Sequence, residues 1–191
     1  MKETQERIVH SAMKLFVQKG FFETTVEDIA RRARVAKGTI YLYFKDKPSI
    51  YITIIERYLQ QTIQNLSEIE KQKISHRDKV IRIIERGMEM GRRFKNPYPI
   101  FSIENINLAQ KLIQGIKPLF LKYHAEIIKR IAHIIQAGIK AGEFRKVNPD
   151  AVALYIISIV RTGLLIRQLN PDLKDSEKEI KTIFLKGLIR R

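Results

Sequence analysis

The chain has 191 residues, a formal net charge of +16, 45% hydrophobic residues and no cysteine. That length gives one or two domains with a proper core, and the lack of cysteine excludes a disulfide framework and thiolate chemistry. The charge invites a nucleic-acid partner, but it is spread in proportion to length: residues 1–47 carry ten Lys/Arg and six Asp/Glu, a net of +4, and residues 48–191 carry 26 and 14, a net of +12.

The opening MKETQERIVH is polar and amphipathic and lacks the apolar core of a signal peptide. From about Thr4 to Lys19, Ile8, Ala12, Leu15 and Phe16 recur on one helical face, and Gly20 follows as a stop. Thr25 and Asp28 stand three apart just before Ile29 and Ala30, a capping box that opens a short helix near Val26. The periodicity breaks at Arg34-Val35-Ala36, and a second short helix carries Lys37 to Phe44. Two short helices joined by a turn of three or four residues form a helix-turn-helix, whose second helix can enter the DNA major groove. An ordinary helical hairpin fits the same periodicity.

The composition of the second helix fits a DNA-reading role. Lys37 and Thr39 lie near its N-terminus, where the macrodipole and free N–H groups attract phosphate. Gly38 has no side chain to hold the helix away from a DNA backbone. Tyr41 and Tyr43 carry hydroxyls on rigid arms that reach phosphate oxygens, while Ile40 and Phe44 face inward.

Beyond it, Asp46 caps and Pro48 starts a long helix with an apolar face from Ile50 to Leu66, ending before Lys73 and expected to act as a rigid connector. Ser75 and Asp78 open the next helix, in which Gly87 and Gly91 share a face, for close packing or for room beside a ligand. Asn96-Pro97-Tyr98-Pro99 breaks the chain, a short helix runs from about Ile100 to Ile113, and Gly115 with Pro118 breaks it again. A long helix then runs to about Ala141 with Phe120, Tyr123 and Ile127 among its inward residues. Asn148-Pro149-Asp150 opens a helix that is apolar nearly all round from Ala151 to Ile166 and so needs burial on both sides. Its longest apolar run, Ala151 to Val160, is too short to span a bilayer. Ser176 and Glu179 cap the last, amphipathic helix. The fold class is all-α, with about nine helices: a helix-turn-helix domain over 1–47 and a helical domain over 48–191. A soluble, cytoplasmic protein with no membrane partner is expected.

At Ala12, Phe16, Gly20, Phe21, Thr25, Ile29, Ala30, Val35, Lys37, Gly38, Thr39, Ile40, Tyr41, Tyr43, Phe44 and Lys47 the chain resembles the TetR/AcrR family of bacterial transcription regulators. The specific match covers about the first quarter of the chain, and GTIYLYFKDK is similar to the same stretch in fatty-acid-metabolism regulators of that family. Two positions depart from the pattern: Arg34 stands where the family usually has Gly, and Ala36 where it has Ser or Thr. The resemblance implies a three-helix head that contacts an operator through Thr25, Lys37, Gly38, Thr39, Tyr41, Tyr43 and Lys47. Lys37 and Thr39 are the candidates for base edges, and Tyr41, Tyr43 and Lys47 for phosphates.

The resemblance also implies a homodimer through the last two helices, and a cavity in the C-terminal domain where a small effector lowers operator affinity. Candidate linings are Tyr58, Met88, Gly91, Phe94, Tyr123, His124, Ile127, Tyr155 and Ile159, with Arg161 facing an internal acid or an anionic ligand head. The domain's charge favours an acidic, lipid-like effector. No enzyme motif, cofactor motif or metal-ligand spacing is present among the four scattered histidines, so neither catalysis nor a cofactor is expected. A basic DNA binder without sequence preference and a helical protein-interaction module remain as alternatives.

Overall fold

The computed structural model describes residues 2–92, 106–169 and 176–189. Eight helices lie among them: α1 (Lys2–Lys19), α2 (Val26–Ala33), α3 (Lys37–Tyr43), α4 (Lys47–Lys71), α5 (His76–Arg92), α6 (Ile106–Lys140), α7 (Pro149–Leu169) and α8 (Ser176–Leu188). They form two compact units. The first holds the chain up to Gln60 and the start of α6 up to Lys122; the second holds the rest of α4, α5, the remainder of α6 from Tyr123, α7 and α8. This division falls within α4 rather than at residue 47. The reason is that Ile50, Tyr51 and Ile54 of α4 are buried in the core of the N-terminal helices.

That core joins Ile8, Val9, Ala12 and Phe16 of α1 to Ile29, Ala30 and Ala33 of α2 and to Ile40 of α3. Phe21 sits at its centre, with ring centroids 5.3 Å from Phe16, 5.4 Å from Phe22 and 5.1 Å from Tyr51. Edge and tilted ring pairs of this kind add about 0.5–1.5 kcal/mol each beyond the area they bury. Gly20 takes φ +89 and ends α1, its N–H donating to Phe16 O at 3.1 Å. The buried Thr24 hydroxyl closes the loop by donating to Gly20 O at 2.7 Å.

At the start of α4, Asp46 and Ser49 cap each other: Ser49 N–H donates to Asp46 Oδ1 at 2.9 Å and Asp46 N–H to Ser49 Oγ at 3.2 Å. Ser75 accepts from Asp78 N–H at 3.0 Å at the start of α5, and Asn148 Oδ1 from Ala151 N–H at 3.0 Å at the start of α7.

The break expected at Gly115 and Pro118 does not occur; α6 passes through both, leaving one helix where two were expected. Pro118 removes the bond to the carbonyl four residues back, but Gln114 and Pro118 are both exposed, so water can satisfy that carbonyl. Gly115 serves approach rather than interruption, because a Cβ there would lie 2.2 Å from Ile52 Cδ1. The expected Asn96–Pro99 break, and the start of the helix expected from Ile100, lie outside the described residues. No helix among the described residues is long and apolar enough to cross a membrane.

Candidate nucleic-acid interface

The turn between α2 and α3 decides how α3 is presented. Thr25 Oγ accepts from Asp28 N–H at 3.1 Å while Thr25 N–H donates to Asp28 Oδ2 at 3.0 Å, so α2 starts on a full capping box. Lys19 donates to Asp28 and holds its carboxyl well below the usual carboxylate range. Arg34 ends α2 in the left-handed region at φ 54, and Val35 N–H reaches back to Ala30 O at 3.0 Å. This is the glycine-type helix stop, made here by an arginine. Arg7 of α1 adds a donor to Ala33 O at 3.1 Å.

Ala36 then precedes α3 with no side-chain cap. Both departures from the family pattern therefore cost stability. Arg34→Gly should stabilise the fold by up to about 1 kcal/mol, and Ala36→Ser by about 1 kcal/mol. Thermal melting checks each; a lower midpoint for either variant would contradict this account of the turn. The core tolerates the two losses, since burying each Ile or Phe contributes about 1.5–3 kcal/mol.

Seven residues of α3 divide cleanly. Ile40 is buried, Tyr43 packs against the core, and Thr39 is half-buried. Lys37, Gly38, Tyr41 and Leu42 are exposed, with Leu42 at 82%. A Cβ at Gly38 would meet nothing within 4 Å, so the helix surface there is bare. Leu42 was not among the expected contacts; with Ile40 and Phe44 fixed inward, its register alone placed it outside.

Two expected contacts are already engaged. The Lys37 ammonium is paired with the Glu27 carboxylate of the first turn of α2, which holds Glu27 below and Lys37 above their ordinary values. Lys47 points into the protein. Its Nζ donates to Phe21 O at 2.8 Å, Phe22 O at 3.2 Å and Thr24 O at 2.7 Å, and lies 4.5 Å from the centre of the Phe21 ring. Burial pushes the Lys47 pKa down, yet three donated bonds require the ammonium form. Its three protons are used, so the expected phosphate contact by Lys47 gives way to a structural role. Tyr43 is partly buried and packs against the core.

The residues expected to line an effector cavity are divided between the two units. Met88, Tyr123 and Ile127 are buried in the second unit, Ile159 and His124 are half-buried there, and Tyr58 is half-buried in the first. Phe94 and the side-chain environment of Gly91 lie outside what is described. Gly87 is explained by packing: a Cβ there would lie 3.0 Å from both methyls of Val160, so α5 and α7 approach closely. Phe120, expected inward, is 44% exposed.

Tyr155 is 64% exposed and Arg161 is exposed, so neither lies inside this chain as expected. Within this chain α7 leaves open one of the two sides that were expected to be buried. It buries Val152, Ala153 and Ile156 but shows Leu154, Tyr155, Ser158 and Arg161 to solvent. Arg161 still acts on His124, whose pKa is lowered first by burial and then by that guanidinium. On α8, Ile183 is 71% exposed.

Residues 8–53 match the family described as bacterial regulatory proteins, tetR family. The chain is 26% identical over 157 residues to the uncharacterized HTH-type transcriptional regulator YhgD of Bacillus subtilis, spanning 82% of this chain and 80% of that one. It is 28% identical over 144 residues to the fatty acid metabolism regulator protein of the same organism, spanning 73% and 70%. Its fold superimposes with a TM-score of 0.71 on the transcriptional regulator FadR from Bacillus subtilis in complex with stearoyl-CoA, at 22% identity over 95% of this chain and 98% of that one.

Proposed function

We propose, from the premise that this chain belongs to the TetR family of bacterial regulatory proteins, that it is an effector-controlled repressor which binds a palindromic operator as a homodimer. One observation carries this reading. The outer face of α3 is a bare strip made by Lys37, Gly38, Tyr41 and Leu42, fixed to a rigid head by the inward Ile40. Such a strip fits a major groove: Lys37 and Thr39 reach base edges, Tyr41 reaches a phosphate, and Leu42 offers an apolar surface to a thymine methyl. The Thr25 hydroxyl is engaged with Asp28 in the cap, accepting from its N–H and hydrogen-bonding its carboxylate, so it can serve a phosphate only by leaving that carboxylate.

Gly38 gives a clean test of that face. A Cβ at Gly38 meets nothing within 4 Å and the position is exposed, so Gly38→Leu, which adds helix propensity, should leave folding unchanged or slightly improved by up to about 1 kcal/mol. Operator affinity should nevertheless fall at least tenfold, read by fluorescence anisotropy. Unaltered affinity would take α3 off the DNA.

The exposed Leu154, Tyr155 and Ile183 supply the apolar surface for a second copy through α7 and α8. Paired heads about one helical turn apart, roughly 34–36 Å, read a palindrome. The effector is a lipid-like or anionic small molecule. Two features support this: the +12 charge of residues 48–191 and the similarity to a fatty acid metabolism regulator. Its binding in the second unit shifts α4, one uninterrupted helix from Lys47 to Lys71, and so changes head spacing. Titrating stearoyl-CoA into the protein–operator complex tests the effector class. Release of the DNA supports a long-chain acyl thioester, and a complex that survives saturating ligand overturns that choice.

A further inference from the structure

Among the described residues Arg34 is the only one other than glycine in the left-handed region, at φ 54. Its side chain is exposed, and its guanidinium forms no hydrogen bond or ion pair with any of them. The residue therefore strains the fold while its charge does nothing inside it, and strain of this kind is kept where function requires it. We infer that Arg34 is a DNA-phosphate contact: the turn holds it beside the start of α3, where its guanidinium meets the backbone flanking the groove that α3 enters.

Three observations carry this assignment. The first is position. Arg34 caps the C-terminus of α2, and Lys37 begins α3 three residues later. Three residues span at most about 10 Å, less than the roughly 12 Å width of the major groove. With α3 in the groove, the end of α2 stands at its rim, among the phosphates.

The second is fixation. Arg34 N–H donates to Arg31 O at 3.2 Å, Val35 N–H donates to Ala30 O at 3.0 Å, and Arg7 of α1 donates to Arg34 O at 3.4 Å. The backbone is tied on both sides of the residue, which leaves the side chain alone to reach outward.

The third is availability. Lys37 is paired with Glu27, and Arg31 lies 2.6 Å from an Asp28 carboxylate oxygen. Each must leave a carboxylate before it can take a phosphate, one anion for another. Arg34 has no such exchange to make, so its attraction to the duplex is undiminished. A guanidinium also presents two parallel donors, which match a phosphate better than an ammonium does. The contact reads no base; it strengthens binding to every duplex alike and fixes the angle at which α3 enters the groove.

This inference rests on the regulator reading, and the experiment separates the two. Full-length wild type, Arg34→Gly, Arg34→Asn and Arg34→Lys are titrated across a salt series with a duplex recovered from a randomised pool and with a scrambled version of it. Glycine and asparagine both accept the left-handed turn without carrying a charge. Each should weaken binding about five- to tenfold on both duplexes and flatten the salt slope by about one unit for each head bound. Arg34→Lys keeps the cation and should keep the slope. Lys146→Gln, an exposed change of equal charge in the second unit, should leave the slope at its wild-type value.

Arg34→Gly should at the same time melt no lower than wild type, so weaker binding cannot come from a damaged head. A wild-type slope in the glycine and asparagine variants, a loss confined to one duplex, a slope that lysine fails to keep, or an equal flattening by Lys146→Gln would each overturn the role of Arg34 and leave the regulator reading standing. Wild type that binds no duplex would overturn both.

Discussion

Replacing Leu154 and Ile183 together by lysine should turn the proposed dimer into a folded monomer and weaken operator binding by about a hundredfold or more. Both side chains are exposed in the single chain, at 46% and 71%, so the substitution removes nothing from its core. What it removes is the apolar surface proposed to be shared by two copies, replaced in each by two cations that must be desolvated for association. Losing the second head forfeits the effective-concentration gain of two linked sites, about 10²–10⁴ in affinity. Sedimentation velocity and anisotropy on the same samples check both halves. A double variant that stays dimeric would move the interface elsewhere, and a monomer that binds as tightly as wild type would remove the need for a palindrome.

The second large effect is at Lys47. Lys47→Met keeps the aliphatic stem but leaves the Phe21, Phe22 and Thr24 carbonyls without their shared donor and the Phe21 face without its cation. Bonds from a charged donor are worth about 1.5–3 kcal/mol each, but three from one ammonium are not additive, so a loss of about 2–3 kcal/mol is expected. Melting should drop by about 5–10 °C. A phosphate contact would behave differently: melting would hold, and the salt slope of binding would fall by about one unit. Operator affinity should fall as well, because the loop held by Lys47 leads directly into the Thr25 cap of α2. An unchanged melting curve would contradict the structural assignment.

Part of this architecture was legible in the sequence. Helix boundaries carried by local chemistry could be read directly: the Thr25–Asp28 box, the Asp46 cap and the Asn148-Pro149-Asp150 start each depend on neighbours within four residues. The strain at Arg34 could be anticipated as well, because only a left-handed residue ends α2 there and glycine is missing. The inward and outward faces of α3 followed from Ile40, though Leu42 was passed over because an apolar residue draws attention to a core.

Contacts distant in sequence were not legible. Lys47 lies 26 residues from Phe21 and Lys37 lies ten from Glu27, and no local pattern announces that a carbonyl cluster or a carboxylate waits across the fold. The continuity of α6 was hidden for a related reason. Whether a proline breaks a helix depends on whether water reaches the orphaned carbonyl, and whether a glycine does so depends on what packs against it; Gln114 and Ile52 decide these here. The hydrophobicity of α7 was read rightly as unpaired surface, but Tyr155 and Arg161 were assigned to a cavity because composition does not say which side faces the chain's own core.

Two α3 helices, one from each copy of the chain, are expected to read one palindrome. Selection of bound DNA from a randomised duplex pool by the purified full-length protein, at about physiological salt, tests it most directly. The expected result is recovery of an inverted repeat whose half-sites lie about one helical turn apart, roughly 10–10.5 base pairs centre to centre. Recovery of duplexes without a shared motif, bound with a steep salt dependence, would contradict it and leave a basic protein that grips DNA by its phosphates alone.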